Sequence, residues 1–264
     1  MLKLIKSFLP REIIEIIYKY LRLYRLFFLR GNNFLCPICK FKASKFLPYG
    51  KDYEAIKKYK IIGMGFRKNA ICPNCFSKDR ERLLYLFLQN LIDKKLISFS
   101  SKVIHFSPEM SLEKNFFRKY FSNYFTADII KNKSDFTIDL QNFNLKEKNF
   151  DLVICNHVLE HIEDDTTALK NIYSIIKPGG MAILQVPLST IIDVDFKKEG
   201  IISDSEKLNY YGQSDHVRIY SEKNFLKKIT DTGFNLNINE MIREKKKIPS
   251  NGLNKSENVV LAIK

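Results

Sequence analysis

Four polar side chains come directly after a short apolar run in the middle of the chain. The run is Asp151–Cys155, and Asn156, His157, Glu160 and His161 follow it. A short apolar run of this kind predicts a buried strand. Ligands of an open parallel sheet bind beyond the carboxyl ends of its strands, and amide, imidazole and carboxylate groups can hold a ligand or move a proton. The pattern therefore predicts a binding or catalytic site at this strand end.

The residues after this site predict the elements that position it. Apolar residues recur at helical spacing from Asp164 to Ile176, which predicts a helix. Lys177–Gly180, with its proline and two glycines, predicts the end of that helix, and Met181–Val186 predicts a second buried strand. Strand, loop, helix, turn and strand in this order are typical of half of a nucleotide-binding type of α/β domain.

Four of the five cysteines form two pairs, Cys36-Pro-Ile-Cys39 and Cys72-Pro-Asn-Cys75. Two tight loops that each present two thiolates match the ligand geometry of a tetrahedral zinc ion. Because four thiolates leave no open position, we expect this zinc to be structural. Disulfides are the alternative, but they do not suit a chain without an export signal, and an iron–sulfur cluster is a further alternative. The long spacing predicts a hairpin or helix between residues 41 and 71.

Two segments of the sequence resemble one enzyme superfamily. The order Cys-Asn-His, Val-Leu-Glu-His, helix and Lys-Pro-Gly-Gly over residues 155–180 is similar to the class I S-adenosylmethionine-dependent methyltransferases. The segment Gly212–Tyr220, with the sequence GQSDHVRIY, resembles a signature of one bacterial group of these enzymes. Members of that group also carry N-terminal Cys-Pro-x-Cys pairs, and the resemblance covers roughly residues 36–234.

This resemblance implies a fold and a chemistry. The fold would be α/β, a Rossmann-like sheet that is mostly parallel and closes with a final antiparallel pair, together with an N-terminal helix and a small zinc-binding module. The cofactor would be S-adenosylmethionine. Many members of the bacterial group are associated with the synthesis of capsule or surface polysaccharide, which implies O-methylation of a sugar, a nucleotide-sugar or a phosphate-bearing precursor.

The resemblance also implies which residues bind the cofactor. The superfamily has a glycine-rich loop after the first strand, whereas this chain has Phe106-Ser-Pro-Glu-Met-Ser111. Glu109 would bind the amino group of the cofactor or, alternatively, act as a carboxylate at a helix start. The full set of expected positions is Ser107, Pro108 and Glu109 in the loop, Asp128 for the ribose hydroxyls, Asp139 and Leu140 for adenine, and Asn156 and His157 for the methionine or ribose part.

A long polar and aromatic segment, residues 189–220, predicts an insertion that covers the substrate. Within it, Asp215 and Arg218 flank His216. A hydroxyl acceptor needs a base, and we expect His216, oriented by Asp215, to remove its proton while Arg218 binds an anionic group of the acceptor. His157 is a further catalytic candidate. The alternative is a structural polar network that anchors the segment.

His157, Glu160 and His161 have a second interpretation. Their spacing brings them to one face of a helical turn. Some quinone-pathway methyltransferases of similar sequence hold a divalent cation with such a cluster, so the resemblance leaves a second metal open beside a purely orienting role. His105, inside the first predicted strand, is expected to be a hydrogen-bonded core residue.

The composition limits the class of protein and its partners. With 264 residues and 45% apolar content, the chain can bury one α/β core and a small added module. The net charge of +15 is consistent with nucleic acid, an anionic membrane surface or a phosphorylated substrate, or with a lysine-rich surface of no specific function. Neither an apolar run of membrane-spanning length nor a secretory signal is evident, since Lys3 and Lys6 interrupt the first apolar residues. We therefore expect the cytoplasm, with no transmembrane segment.

Three regions are predicted along the chain. Residues 1–30 form a basic amphipathic helix that packs on the catalytic domain or, alternatively, contacts a partner or the inner membrane surface. Residues 31–77 form the four-cysteine module, and residues 78–264 form the methyltransferase domain. Within that domain a helix is expected over Asp79–Ile92, and strands over Lys102–Phe106, Tyr124–Ala127, Phe136–Ile138, Asp151–Cys155, Met181–Val186, Phe234–Ile238 and Val259–Ile263.

Two other functions are consistent with the sequence. An RNA methyltransferase would account for the positive charge and the cysteine module, although the fourth strand lacks the Asn/Asp-Pro-Pro-Tyr element of many base amino-group methylases. A non-catalytic binding protein on the same fold would account for the missing glycine loop. The expected acceptor is otherwise a small or carbohydrate-linked molecule, anionic ones included.

Overall fold

The computed structural model describes residues 10–143, 145–200, 203–237, 249–254 and 256–264. One long helix and a series of short elements come first in the chain. They are α1 (Arg11–Phe28), β1 (Arg30–Leu35), β2 (Lys42–Ala43), β3 (Leu47–Tyr49), α2 (Glu54–Lys58), β4 (Ile61–Ile62), β5 (Arg67–Ile71) and α3 (Asp79–Asp93).

A seven-stranded sheet with its helices follows. The elements are β6 (Lys102–Phe106), α4 (Met110–Leu112), a π-helical turn (Glu113–Phe117), α5 (Arg118–Tyr120), β7 (Asn123–Asp128), β8 (Phe136–Thr137), β9 (Phe150–Asn156), a 3₁₀ turn (Leu159–His161), α6 (Asp165–Ile175), β10 (Ile176–Gln185), β11 (Leu188–Ser189), α7 (Asp204–Tyr211), β12 (Tyr220–Ser221), α8 (Glu222–Asp231), β13 (Asn235–Asn237), a second 3₁₀ turn (Pro249–Asn251) and β14 (Val260–Ile263).

The central sheet has the strand order β13-β14-β10-β9-β6-β7-β8. The five strands from β10 to β8 in this order run parallel, and β14 runs antiparallel to both of its neighbours. This arrangement confirms the predicted mostly parallel sheet with a final antiparallel pair. The predicted helix that leads into the first strand is also present, as α3.

Helices cover both faces of this sheet because its central strands are apolar on both faces. Every residue of β9 except Asp151 is buried, the pattern of a strand that is covered on two sides. Leu169 and Ile172 of α6 belong to the hydrophobic core on one face. Leu84 and Leu88 of α3 belong to the core on the other face. The carboxyl ends of the parallel strands are left open at one edge.

The turn after α6 differs from the prediction. We expected Lys177–Gly180 to lie between helix and strand, but β10 begins at Ile176 and includes these residues. Its pairing with β9 shifts register between Ile176 and Met181, as in a β-bulge. Glycine suits position 180, because a Cβ there would lie 2.9 Å from the carbonyl oxygen of Phe150. The bulge lets the strand start directly after the helix.

The cysteine module is joined to the catalytic domain by a small sheet. Within the module, β1 pairs with β2 and β3 pairs with β5. The interval between the two cysteine loops therefore contains paired strands, and it also contains the short helix α2, where we expected a hairpin or a helix. In addition, β4 of the module pairs with β11, which pairs in parallel with β12. Ser189 Oγ donates a hydrogen bond to the carbonyl oxygen of Tyr59 at 2.6 Å. The segment of residues 189–220 is therefore bound to the module where it begins.

Arg82 of α3 is a second connection, and it is fully buried. Its guanidinium donates to the carbonyl oxygens of Ser77, Asn251 and Gly252 at 2.5, 2.8 and 2.7 Å. The same group lies 4.5 Å from the ring centroid of Phe46. One side chain thus holds the second cysteine loop, α3 and the segment before β14 together.

Helix α1 exposes large apolar side chains. Tyr20, Leu23 and Phe27 are 66%, 53% and 77% exposed. The helix contacts the second cysteine loop, where Arg25 Nε donates to the carbonyl oxygen of Pro73 at 2.9 Å. Contact with a partner or a membrane surface stays a prediction. Within the described ranges, no helix combines the length and the apolar character that crossing a bilayer requires.

Replacing Arg82 with methionine should lower the free energy of unfolding by about 2–4 kcal/mol, because three carbonyl oxygens lose a buried donor. Urea unfolding followed by circular dichroism measures the change. Arg118→Met is the matched control. Its guanidinium pairs with Glu113 and Asp135, but the side chain is 43% exposed, and exposed pairs contribute less than about 1 kcal/mol. Equal losses in the two variants would contradict the role assigned to Arg82.

Candidate active site

The carboxyl ends of β6, β7 and β9 border three cavities that share residues. Cavity A has a volume of about 310 Å³, cavity B of about 530 Å³ and cavity C of about 800 Å³. His157 and His161 line both A and B. Arg80 lines both B and C, and Ser107 lines both A and C. The three cavities therefore meet around one group of side chains.

Cavity A contains most of the residues that we expected to bind the cofactor. Five of the eight expected positions line it, namely Ser107, Asp128, Asp139, Leu140 and His157. Pro108 and Glu109 line cavity C instead. Asn156 ends β9 and is not among the described residues that line cavities A, B and C. The strand ends thus bring the expected set to one edge of the sheet.

Asp128 ends β7, and its carboxylate is buried. Oδ1 accepts a hydrogen bond from the Ile130 N–H at 3.0 Å, and Oδ2 accepts one from Lys133 Nζ at 2.7 Å. Burial alone would raise the pKa of Asp128, but these two bonds hold the pKa below its ordinary value. The carboxylate is therefore ionised at neutral pH. Lys133, the partner of Oδ2, has a half-exposed side chain.

Ser107 begins the loop after β6 and has a left-handed φ of 47°. Residues other than glycine adopt this region rarely. The Ser107 N–H donates to the carbonyl oxygen of Ala127 at 2.7 Å, which fastens the loop to β7. A hydrogen bond from the Ser107 side chain also lowers the pKa of Asp128. The loop thus keeps a conformation typical of glycine although glycine is absent from it.

Glu109 contacts a buried histidine. Its Oε2 lies 2.8 Å from Nε2 of His105, a close polar contact without the alignment of a hydrogen bond. Burial would raise the pKa of Glu109, but the contact with His105 holds it below its ordinary value. Nδ1 of His105 lies 3.1 Å from the hydroxyl of Tyr124, which confirms His105 as a hydrogen-bonded core residue. Glu109 is also the N-cap residue of α4, the helix-start position expected as its alternative role, although its side chain makes no capping bond there.

Asn156 and His157 lie where β9 ends. Asn156 is 4% exposed, and neither polar atom of its side-chain amide has a hydrogen-bond partner in the described residues. Buried amides are normally paired, so this side chain is available to a ligand or to ordered water. His157 has a left-handed φ of 54°, and its N–H donates to the carbonyl oxygen of Gln185 at 2.7 Å. Burial lowers the pKa of His157 well below its ordinary value, which leaves a neutral imidazole between cavities A and B.

One wall of cavity B comes from the cysteine module. The lining joins residues of the module, of the strand ends and of the long segment, among them Tyr49, Lys51, Tyr53, Arg67, Pro187 and Gly212. Three cations line the cavity, namely Lys51, Arg67 and Arg80. Arginine and lysine side chains of this kind bind carboxylates and phosphates. The spacing of the cysteines did not predict that the module would line a cavity.

Glu160, His161 and His216 cluster in the wall of cavity B. One potential ligand atom of each lies within 4.8 Å of the others. Carboxylate and imidazole together form a donor set that suits a divalent transition metal. The cluster differs from the one that the sequence predicted, because His216 replaces His157. Nδ1 of His157 lies instead 3.3 Å from Oε1 of Glu160.

The structure pairs Asp215 with His161 and not with His216 as predicted. Oδ2 of Asp215 lies 3.4 Å from Nδ1 of His161. His216 is 2% exposed, and burial lowers its pKa to about 3. The imidazole of His216 is therefore neutral, with its ring centroid 4.8 Å from that of His161.

Arg218 lies in a buried network away from the cavities. Its Nη1 lies 2.7 Å from Oδ2 of Asp165. Its Nη2 donates to the carbonyl oxygens of Ile162 and Glu163 at 2.8 and 2.6 Å. In the described chain, Arg218 lines none of cavities A, B and C. It anchors the long segment to the start of α6, which is the structural alternative that the sequence left open.

Sequence reasoning missed two residues in the first turn of α3. Arg80 lines cavities B and C, and its Nε is buried without a hydrogen-bond partner among the described residues. Glu81 lines cavity C, and burial raises its pKa to about 8. The sequence feature that could have identified them is an adjacent cation and anion at the start of the helix that leads into the first strand.

The four paired thiols converge. Sγ of Cys36 lies 3.7 Å from Sγ of Cys75, and Sγ of Cys39 lies 3.6 Å from Sγ of Cys72. All four sulfurs lie within 4.8 Å of one another. Zinc–sulfur bonds of about 2.3 Å in a tetrahedron require sulfurs about 3.8 Å apart. The cluster therefore has the dimensions of a tetrahedral thiolate site.

Comparisons with known proteins agree with this geometry. Residues 70–237 match a family described as a methyltransferase domain. The ubiquinone biosynthesis O-methyltransferase of Rickettsia typhi is 37% identical over 67 residues, and the match spans 24% of this chain and 27% of that protein.

Solved structures of the same kind are also similar. An S-adenosylmethionine-dependent methyltransferase from Mesorhizobium loti has a TM-score of 0.46 at 12% identity, with 65% of this chain and 95% of that chain covered. The N-methyltransferase NodS from Bradyrhizobium japonicum has a TM-score of 0.40 at 16% identity, with 70% and 85% covered. The family match at residues 70–237 extends over more than half of the 264 residues. By that match, the chain belongs to the methyltransferase domain family.

Proposed function

We propose that the protein transfers a methyl group from S-adenosylmethionine to an acceptor that occupies cavity B. In this proposal the adenosine part of the cofactor lies in cavity A, beside Asp128, Asp139 and Leu140. One observation carries the proposal. His157 lines A and B alike, so a donor in A and an acceptor in B can meet at one buried side chain.

Methyl transfer depends on alignment and on the removal of one proton. The acceptor oxygen attacks the methyl carbon in line with the carbon–sulfur bond, and the electron pair of that bond stays on sulfur. The products are the methylated acceptor and S-adenosylhomocysteine. A hydroxyl acceptor gives its proton to a base, and a neutral imidazole can accept it. His157 is this base, and Glu160, 3.3 Å from Nδ1, orients its ring.

His216 has a different place in the proposal. It lines cavity B but not cavity A, and it is almost fully buried. His216 therefore shapes the acceptor site together with Glu160 and His161. A divalent cation bound by these three residues would help to hold an anionic acceptor.

The proposed acceptor is a hydroxyl-bearing anion, such as a nucleotide-sugar or a phosphorylated precursor of a surface polysaccharide. Lys51 supports the negative charge, and the rings of Tyr49 and Tyr53 support a sugar. The similarity to a ubiquinone biosynthesis O-methyltransferase supports oxygen as the methylated atom. The module wall around cavity B favours a small acceptor over RNA.

The four cysteines are proposed to hold one structural zinc ion. Their sulfur–sulfur distances fit tetrahedral coordination, and four thiolates leave no position for a substrate. The ion would fix the two cysteine loops to each other. It takes no part in methyl transfer.

Asp128→Asn should weaken S-adenosylhomocysteine binding about 10- to 100-fold, because charge-assisted hydrogen bonds to the ribose are lost. Isothermal calorimetry should give a micromolar dissociation constant for the unmodified protein. Asp193→Asn is the control, since that side chain is 91% exposed and should leave the affinity unchanged. Undetectable binding by the unmodified protein at millimolar ligand would refute the enzyme and favour a non-catalytic binding protein.

His157→Ala should lower kcat about 10²- to 10⁴-fold. His216→Ala should chiefly raise the KM of the acceptor, because His216 lies in the acceptor wall alone. S-adenosylhomocysteine release, measured across a panel of nucleotide-sugars and sugar phosphates, first identifies the acceptor and then compares the variants. A folded His157→Ala protein with near-normal kcat would show that another group is the base or that the acceptor needs none.

Purified protein should contain one zinc per chain, measured by elemental analysis. Cys72→Ser should release the metal and lower the melting temperature, because binding energy at such sites is coupled to folding. Cys155→Ser is the matched control, since Cys155 lies in β9 outside the four-thiol cluster and should leave the zinc content unchanged. Iron in place of zinc, or no metal at all, would contradict the assignment.

A further inference from the structure

We propose that Arg80 and Glu81 bind the amino-acid end of S-adenosylmethionine in cavity C, Arg80 through the carboxylate and Glu81 through the α-ammonium. The inference rests on the proposed function and specifies how the cofactor is held where the chain lacks a glycine-rich loop. It concerns two adjacent residues in the first turn of α3.

The shape of the cavities sets the direction of the cofactor. Cavity C is lined by the start of α3 and by the loop from Ser107 to Ser111. It shares Ser107 with cavity A and Arg80 with cavity B. In this proposal, a ligand with its adenosine in A and its methyl group toward B extends its amino-acid chain past Ser107 and Arg80 into C.

Arg80 is the cation of cavity C that is best placed for a carboxylate. Four cations line this cavity, namely Arg22, Lys78, Arg80 and Lys114. Arg22 donates to Oδ1 of Asn74 at 2.8 Å, Nζ of Lys78 lies 5.1 Å from the ring centroid of Tyr49, and Lys114 is exposed. Arg80 alone among them has a buried guanidinium nitrogen without a partner in the described chain.

Glu81 is the corresponding anion. Two carboxylates line cavity C, and that of Glu109 already contacts His105 at 2.8 Å. Glu81 is 4% exposed, and burial, followed by the charge of Glu109, raises its pKa to about 8. An α-ammonium in the cavity would supply the cationic partner that stabilises the ionised carboxylate. The ligand role expected for Glu109 thus moves to Glu81.

Two ligands that differ only at the amino-acid end test the proposal. S-adenosylhomocysteine has this end, whereas 5′-methylthioadenosine keeps the nucleoside and the sulfur without it. Calorimetry with Arg80→Gln should show S-adenosylhomocysteine weakened about 10- to 100-fold and methylthioadenosine changed less than about twofold. Glu81→Gln should show the same selectivity. Lys114→Gln, a cation exposed on the same cavity, should change neither ligand.

The outcomes separate this inference from the proposed function. Asp128→Asn should weaken both ligands, since both contain the ribose. If folded Arg80→Gln loses affinity for both ligands, or for neither, the role of Arg80 is overturned. Tight binding of S-adenosylhomocysteine by the unmodified protein would still support the cofactor assignment. Where Arg80→Gln fails to fold by circular dichroism, Arg80→Lys decides, because it keeps the charge and should retain selectivity for S-adenosylhomocysteine over methylthioadenosine. Binding of neither ligand by the unmodified protein would refute the proposed function itself.

Discussion

Parallel pairing of β6 with β7 and β9 is the constraint on which the site depends. In a parallel ladder neighbouring strands end at the same edge, so Ser107, Asp128 and Asn156, far apart in sequence, become neighbours in space. Helices on both faces bury these strands and keep the register. Among the described residues, this edge holds buried polar side chains such as Asn156 without hydrogen-bond partners. Such groups are available to a ligand or to ordered water.

The central sheet could be predicted because its strands have a strong local signal. Leu152–Cys155 is continuous apolar sequence, and its end marks Asn156 and His157 without any knowledge of the fold. The partners of Asp215 and Arg218 could not be found in this way. Both belong to a long segment whose path is set by β11 and β12, strands of two residues each, which are too short to leave a periodic pattern. Because Asp215, His216 and Arg218 are close in sequence, we expected them to act together. In the folded chain Asp215 instead contacts His161, and Arg218 contacts Asp165.

The loop after β6 lacks the glycines of the superfamily pattern but keeps a backbone conformation that is typical of glycine. Ser107 adopts the left-handed backbone that glycine would adopt freely, and its N–H bond to Ala127 compensates for part of the strain. His157 at the end of β9 also has a left-handed backbone, and its N–H donates to the carbonyl oxygen of Gln185. Two non-glycine residues with left-handed backbones at neighbouring strand ends indicate that these turns are fixed by the sheet. Glycine is therefore dispensable there, although each side chain still restricts the space left for a ligand.

The cysteine module forms part of the wall of cavity B, the proposed acceptor site. Its two loops meet at the four thiols, Arg82 fastens the second loop to the core, and β4 continues into a sheet with the long segment. Residues of the module from Tyr49 to Arg67 then form a wall of cavity B. Cavity A is lined mainly by the strand ends of the central sheet and the loops that follow them, together with Asp215 of the long segment. In the proposed function, the stability of the module therefore affects the acceptor site in cavity B and also cavity C, which Cys75 and Phe76 of the second cysteine loop line.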